Sequence, residues 1–294
     1  MTRLADHRTQ ALRDAADRLL RRGQMRRVPR GGERLWEPTF FALPAVTEFR
    51  RAAPSTQRAL ADDCAADLLT EAWSIERCGV DFCARMGQLC DADDERRLFA
   101  LVGAEEAKHS AWLEPWVTRR DTGRFGSFIR GIAEAGSAQS LAYLLQVVLE
   151  GFGILHYRGL AAACVDENLG ALLRRMAQDE AIHYSAGLAA FRASRLSASD
   201  RSFLSDGAYA FLQAMRSGPQ AIAAALDRRI GVGRGRLAGV FAELDTQGVT
   251  AAKLRHLRRL MSQPGMEWLV NELGEKGAFT PCSDAQCASL YVAA

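Results

Sequence analysis

Apolar residues recur at spacings of three and four along most of the chain, the period of helices that bury one face. The pattern predicts an arginine-rich amphipathic helix over residues 4–24, broken by Pro29, Gly31 and Gly32. Leu35 to Val46, with Trp36, Phe40 and Phe41, is too apolar for a free linker and is expected to drape over the core. A helix is predicted from about Ser55 to Cys90, and the acidic cluster Asp91, Asp93 and Asp94 reads as a turn and N-cap for the next, which runs to about Trp116. A longer connection with Gly123, Gly126, Gly131 and Gly136 is partly helical around Ser127 to Glu134. A third long helix covers about Ser137 to Cys164, a turn spans Asp166 to Gly170, and a fourth helix runs over 171–195.

Hairpin, crossover, hairpin is therefore the expected order. Shorter helices are predicted over 200–216, 219–228, 234–244, 250–261 and 264–274, with an irregular tail from Ala278. The expected fold class is all-α: a four-helix bundle over 56–196, preceded by a basic helix and apolar cover over 1–55. A helical extension over 197–294 packs on the bundle.

Composition narrows the class. With 48% hydrophobic residues the chain can bury a large core, and a net charge of +3 demands no nucleic-acid partner. The basic start, with Arg21, Arg22, Arg26, Arg27, Arg30 and Arg34, lacks the apolar run of a secretory signal, and no uninterrupted apolar stretch of membrane-spanning length is evident. The seven cysteines follow no zinc spacing, so a reducing cytoplasm is the expected compartment.

One pattern carries chemistry, and it occurs twice. Glu76 precedes Glu106-x-x-His109 by 30 residues, Glu150 precedes Glu180-x-x-His183 by 30, and the two sets are offset by 74. A Glu and a His three apart on a helix project from one face, so both can bond a common centre. A lone Glu-x-x-His is more often an exposed helix pair. Two in matched register, each with its own upstream Glu inside an apolar segment, reverse that weighting, because buried carboxylates need partners or metal.

The same offset aligns Gly79 with Gly153, Ala107 with Ala181 and Glu105 with Asp179. Small residues after each lone Glu would leave room for metal, O₂ or close helix contact. The acidic residues are expected to bond the histidine of the opposite motif, Asp179 to His109 and Glu105 to His183.

Glu76, Glu106, His109, Glu150, Glu180 and His183 resemble the ligand set of the ferritin-like di-iron carboxylate superfamily, over roughly residues 60–195. The resemblance implies a non-haem di-iron oxidase or oxygenase that binds two Fe ions (Mn or mixed Mn/Fe as alternatives) and takes O₂ as co-substrate. A small-molecule substrate and an electron donor such as a ferredoxin or flavin reductase are implied as partners. It implies catalytic roles for all six residues, with Glu150 and Glu180 as bridging or shifting carboxylates. A homodimer stays open.

Departures prune the subgroups. Leu113 stands where ribonucleotide reductase small subunits commonly have a radical-forming Tyr, Ile154 where many monooxygenase hydroxylases have Thr, and Met176 where arylamine oxygenases have His. Cys282 and Cys287 lack the second pair of a rubredoxin module. Alternatives are a manganese catalase and a ferroxidase or peroxidase-type scavenger; a metal-free interaction domain would bury four carboxylates without compensation.

Other residues carry weaker signals. His156, six residues past Glu150, is turned off the ligand face, whereas Tyr157 shares that face two turns on. Tyr157 and Tyr184 could line a channel, although packing is the ordinary role. Glu71 competes with Glu76 but breaks the register. Gly231, Gly233 and Gly235 read as a helix connection.

Overall fold

The computed structural model describes residues 34–120 and 124–291, among which the chain is all helical, with no strand. The expected helix over 4–24 lies outside the described residues. After a short helix α1 (Thr47–Arg51), α2 (Pro54–Leu89) opens with proline at its first position, where no backbone N–H is needed. The next helix, α3 (Asp93–Leu113), has Ala92 at its N-cap with no side-chain cap. The acidic cluster therefore acts differently from the expected cap: Asp93, Asp94 and Glu95 lie inside the first turn, where negative charge favours the helix dipole.

The crossover contains α4 (Arg124–Ala135), packed on α2. Next comes α5 (Ala138–Ala163), which starts from a Ser137/Ser140 capping box and runs as π-helix over Ala142–Leu149, ending directly before Glu150. By length and composition α5 could cross a membrane. Within the protein, Leu141 to Val148 are buried as a core segment, which accounts for its apolarity. The partner helix α6 (Glu167–Ala190) begins earlier than the sequence pattern predicts, because the Asp166 side chain accepts the backbone N–H groups of Asn168 and Leu169 at 2.9 Å each. It also ends earlier, at Ala190.

The α2–α3 and α5–α6 hairpins are the two most extensive pairings, and α3 meets α6 where they face each other. Six helices follow: α7 (Ala198–Arg216), α8 (Gln220–Ile230), α9 (Leu237–Glu243), α10 (Thr246–Met261), α11 (Glu267–Glu275) and α12 (Asp284–Leu290). Of these, α7, α10 and α11 share one core with the hairpins, as Phe82, Phe99, Leu144, Phe211, Leu257 and Leu269 pack in a single cluster.

The tail is not irregular. Ser283 and Gln286 form a reciprocal capping box that starts α12, and buried Cys282 and Cys287 pack with Phe241 and Leu237.

The apolar cover lies over the second hairpin. Trp36 is fully buried, its indole N–H donates to Leu160 O at 2.9 Å, and Val165 N–H donates to Leu35 O at 2.9 Å. Charged pairs fix α8 to α2: Arg228 meets Asp67 at 2.7 Å and Arg229 meets Asp63, while Arg119 from the loop after α3 reaches Asp63 at 2.8 Å.

Candidate metal centre

Each half of the repeat puts one carboxylate on its first helix and a Glu–His pair on its second. Glu76 comes from α2, Glu106 and His109 from α3, Glu150 from α5, and Glu180 and His183 from α6. Five of these are buried, and the Glu150 side chain keeps 15% of its surface. All six converge. Ligand atoms of Glu76, Glu106, His109 and Glu180 lie within 4.8 Å of one another, and those of Glu106, Glu150, Glu180 and His183 do likewise.

Glu106 and Glu180 belong to both groups. Of the two residues expected to bridge or shift, Glu180 is in both groups and Glu150 in one, with Glu106 as the other shared member. Both shared residues sit on α3 and α6, which face each other, whereas Glu76 comes from α2 and Glu150 from α5. Among the described residues, neither Glu71 nor His156 joins either group.

The histidines are oriented by their two nitrogens. His109 Nδ1 turns inward, 3.0 Å from Glu76 Oε2 and 3.7 Å from Glu180 Oε1, while Nε2 meets Asp179 Oδ2 at 3.2 Å. His183 repeats this, with Nδ1 3.0 Å from Glu106 Oε1 and 3.6 Å from Glu180 Oε2, and Nε2 2.9 Å from Glu105 Oε2. A carboxylate on the outer nitrogen holds the proton there and leaves the inner one free to ligate.

The donor set fits a pair of divalent ions on two counts. Buried Glu106 Oε1, Glu180 Oε2 and His183 Nδ1 have no hydrogen-bond partner, so the 3.0 Å approach of His183 to Glu106 is not a hydrogen bond. Such atoms are costly to bury unless something else binds them. The four carboxylates also balance the charge of two divalent cations, whereas carboxylates alone would face one another in a dry interior.

The proton affinities express the same crowding. Burial, then Glu76 and Glu150, pushes Glu106 up to about 8, and Glu180 is driven well above the usual carboxylate range by burial and Glu150. Burial disfavours a charged His109, yet its bonds to Asp179 and Glu76 raise it to about 10. His183 is raised likewise, against burial, by Glu106, Glu150 and Glu180. Without a cation, protons neutralise the cluster.

The two glycines aligned by the repeat are not equivalent. A Cβ on Gly79 would lie 2.5 Å from Glu106 Oε2, so that space is filled by the carboxylate itself. On Gly153 the nearest atom would be 3.7 Å away, on Glu180.

Two neighbours carry more than the sequence pattern suggested. The Tyr157 hydroxyl on α5 donates to Glu76 Oε1 on α2, and its place seven residues past Glu150 was the available signal. The Trp112 ring lies 5.7 Å from that of His109, and the i, i+3 spacing was its only mark. Tyr184 lies beside Gly151 and packs on the main apolar core. Comparison with family models, curated proteins and solved structures returns no match for this chain.

Proposed function

We propose that this chain is a non-haem di-iron oxidase or oxygenase of ferritin-like architecture, oxidising a small organic substrate with O₂. The observation that carries the reading is the pair of four-residue groups, buried except for partly exposed Glu150, with Glu106 and Glu180 in common. Glu76, Glu106, His109 and Glu180 would hold one ion, and Glu106, Glu150, Glu180 and His183 the other. Two ferrous ions held there would supply the electrons that O₂ reduction requires.

The protein's own contribution is placement and exclusion of water. Asp179 and Glu105 keep the outer ring nitrogens of His109 and His183 protonated, so that each Nδ1 stays available. Tyr157 holds Glu76 in one position by donating to Oε1. Glu150 is the ligand best able to shift, since it is the most exposed and follows a π-helical segment.

An external electron donor of the ferredoxin or flavin-reductase kind would restore the reduced centre, and the cytoplasm is the fitting compartment for that supply. The test is elemental analysis after anaerobic Fe(II) loading, followed by O₂ uptake. About two irons per chain with O₂ consumption on mixing is the expected result. A well-folded sample with near-zero metal would overturn the reading, and rapid peroxide disproportionation by a manganese-loaded form inert to O₂ as the iron form would replace it with a catalase.

A further inference from the structure

Among the described residues, the two most exposed large apolar side chains are Leu101, at 62%, and Ile182, at 60%. They lie on α3 and α6, the helices that meet at the ligand histidines. Leu101 is one turn before Glu105, and Ile182 directly precedes His183. Single exposed apolar residues are ordinary, so the charges around them decide what this face can do.

The 74-residue offset aligns Leu101 with Arg175 and Glu105 with Asp179. In the second half, Arg175 stands 3.7 Å from Asp179, whose side chain is only 14% exposed. In the first, Glu105 bonds His183 at 2.9 Å but keeps 38% of its surface, and among the described residues no Lys or Arg pairs with it. The acid that orients His109 thus has a cation behind it, and the acid that orients His183 has none.

Asp94, Arg97, Glu105 and Lys108 lie seven and four residues before Leu101 and four and seven after it, so all five share one helix face. If that face meets an antiparallel copy of itself about a two-fold axis at Leu101, residues equally far before and after Leu101 meet. Arg97 then faces Glu105, and Asp94 faces Lys108. Both pairs are opposite in sign, and the symmetry makes each occur twice. The cations are available: Lys108 has no ion pair among the described residues, and Arg97 lies 3.7 Å from Asp94 with both side chains largely exposed. With two carboxylates and two cations, the face favours neither an anionic nor a cationic partner and is complementary to itself.

We propose that α3 packs antiparallel on α3 of a second copy of this chain about a two-fold axis at Leu101, with Ile182 of each copy in the same interface. Arg97 of one copy supplies the cation that Glu105 of the other lacks, and so steadies the acid bonded to His183. The face is built without metal, so the proposal does not depend on the di-iron reading.

The test is sedimentation velocity on the full chain over a range of concentrations, and a dimer is the expected result. Leu101→Glu sets two carboxylates against each other on the axis and should give a monomer with the circular dichroism and urea midpoint of the parent, since Leu101 is exposed. Asp94→Lys and Lys108→Asp each set like charges together at two places and should weaken the dimer by about tenfold or more. The double variant Asp94→Lys/Lys108→Asp restores opposite charges and should recover it. A chain that stays monomeric at every concentration leaves the face to a different partner and overturns the proposal. So does a dimer indifferent to Leu101→Glu, or a double variant that associates no better than its singles.

Discussion

Gly79→Ala is the sharpest perturbation of the proposed centre, because it adds one methyl group and removes no ligand. The new Cβ would lie 2.5 Å from Glu106 Oε2, 2.8 Å from its Cδ and 3.0 Å from its Cγ. An ordinary contact is about 3.5 Å, so the carboxylate must retreat by roughly 1 Å. Ligand geometry tolerates about half that displacement. Since Glu106 is in both four-residue groups, one substitution should disturb both metal positions at once.

The fold should suffer less than the site. Overpacking costs about 1–3 kcal/mol, and replacing a mid-helix glycine by alanine returns roughly 1 kcal/mol, leaving a net destabilisation of about 0–2 kcal/mol. Gly153→Ala is the matched control: its nearest new contact is 3.7 Å, so it should keep metal and gain up to about 1 kcal/mol. Elemental analysis after anaerobic Fe(II) loading, with urea unfolding of the same samples, reads both effects. A folded Gly79→Ala protein holding the full complement at unchanged affinity would refute the placement of Glu106, as would equal metal loss in Gly153→Ala.

Other outcomes follow from the same geometry. Glu106→Ala and Glu180→Ala should lose both ions, Glu76→Ala and Glu150→Ala should each keep about one per chain, and Glu71→Ala should load fully; equal losses in all four ligand variants would contradict the shared pair. Metal must displace protons from Glu106, at about 8, and His109, at about 10, so affinity should rise through neutral pH by up to about tenfold per unit for each proton released. A pH-independent affinity in competition titrations would count against this. Asp179→Asn leaves His109 Nε2 without its carboxylate and should cost about 10 to 100-fold in metal affinity, measured by chelator competition. The Arg229 bond holds Asp63 below its ordinary range, so its stabilisation is full above about pH 4 and fades as pH falls through the lowered value. Urea midpoints of Asp63→Asn and the parent should converge in acid, and a constant gap from pH 7 to pH 3 would sink that account.

The helical order and the six converging residues were legible because both depend on local period. Residues three apart on one helix face inward together wherever that helix packs, and the 74-residue register tied the two halves without tertiary knowledge. The sharing of Glu106 and Glu180 was not legible, since it depends on which helices face each other in the fold. Helix ends slipped for a local reason: Asp166 caps α6 ahead of the apolar pattern, and Ser283 with Gln286 starts a helix in a segment whose apolar period is too short to see. The π-helical segment before Glu150 leaves no trace in an apolar run, because every face of Ala142 to Val148 is buried.

A sequence repeat does not make the two halves equivalent. At the first, Glu76 is buried, bonded by His109 and Tyr157, and the space beside Gly79 is filled by Glu106. At the second, Glu150 is partly exposed, follows a π-helical segment, and is near Gly153, where an added Cβ would make only ordinary contact with Glu180. The first position is therefore held by more contacts than the second and is shut from solvent. The Glu150 carboxylate therefore has the fewest constraints on moving aside. The asymmetry assigns anchoring to the half around Glu76 and exchange with the outside to the half around Glu150.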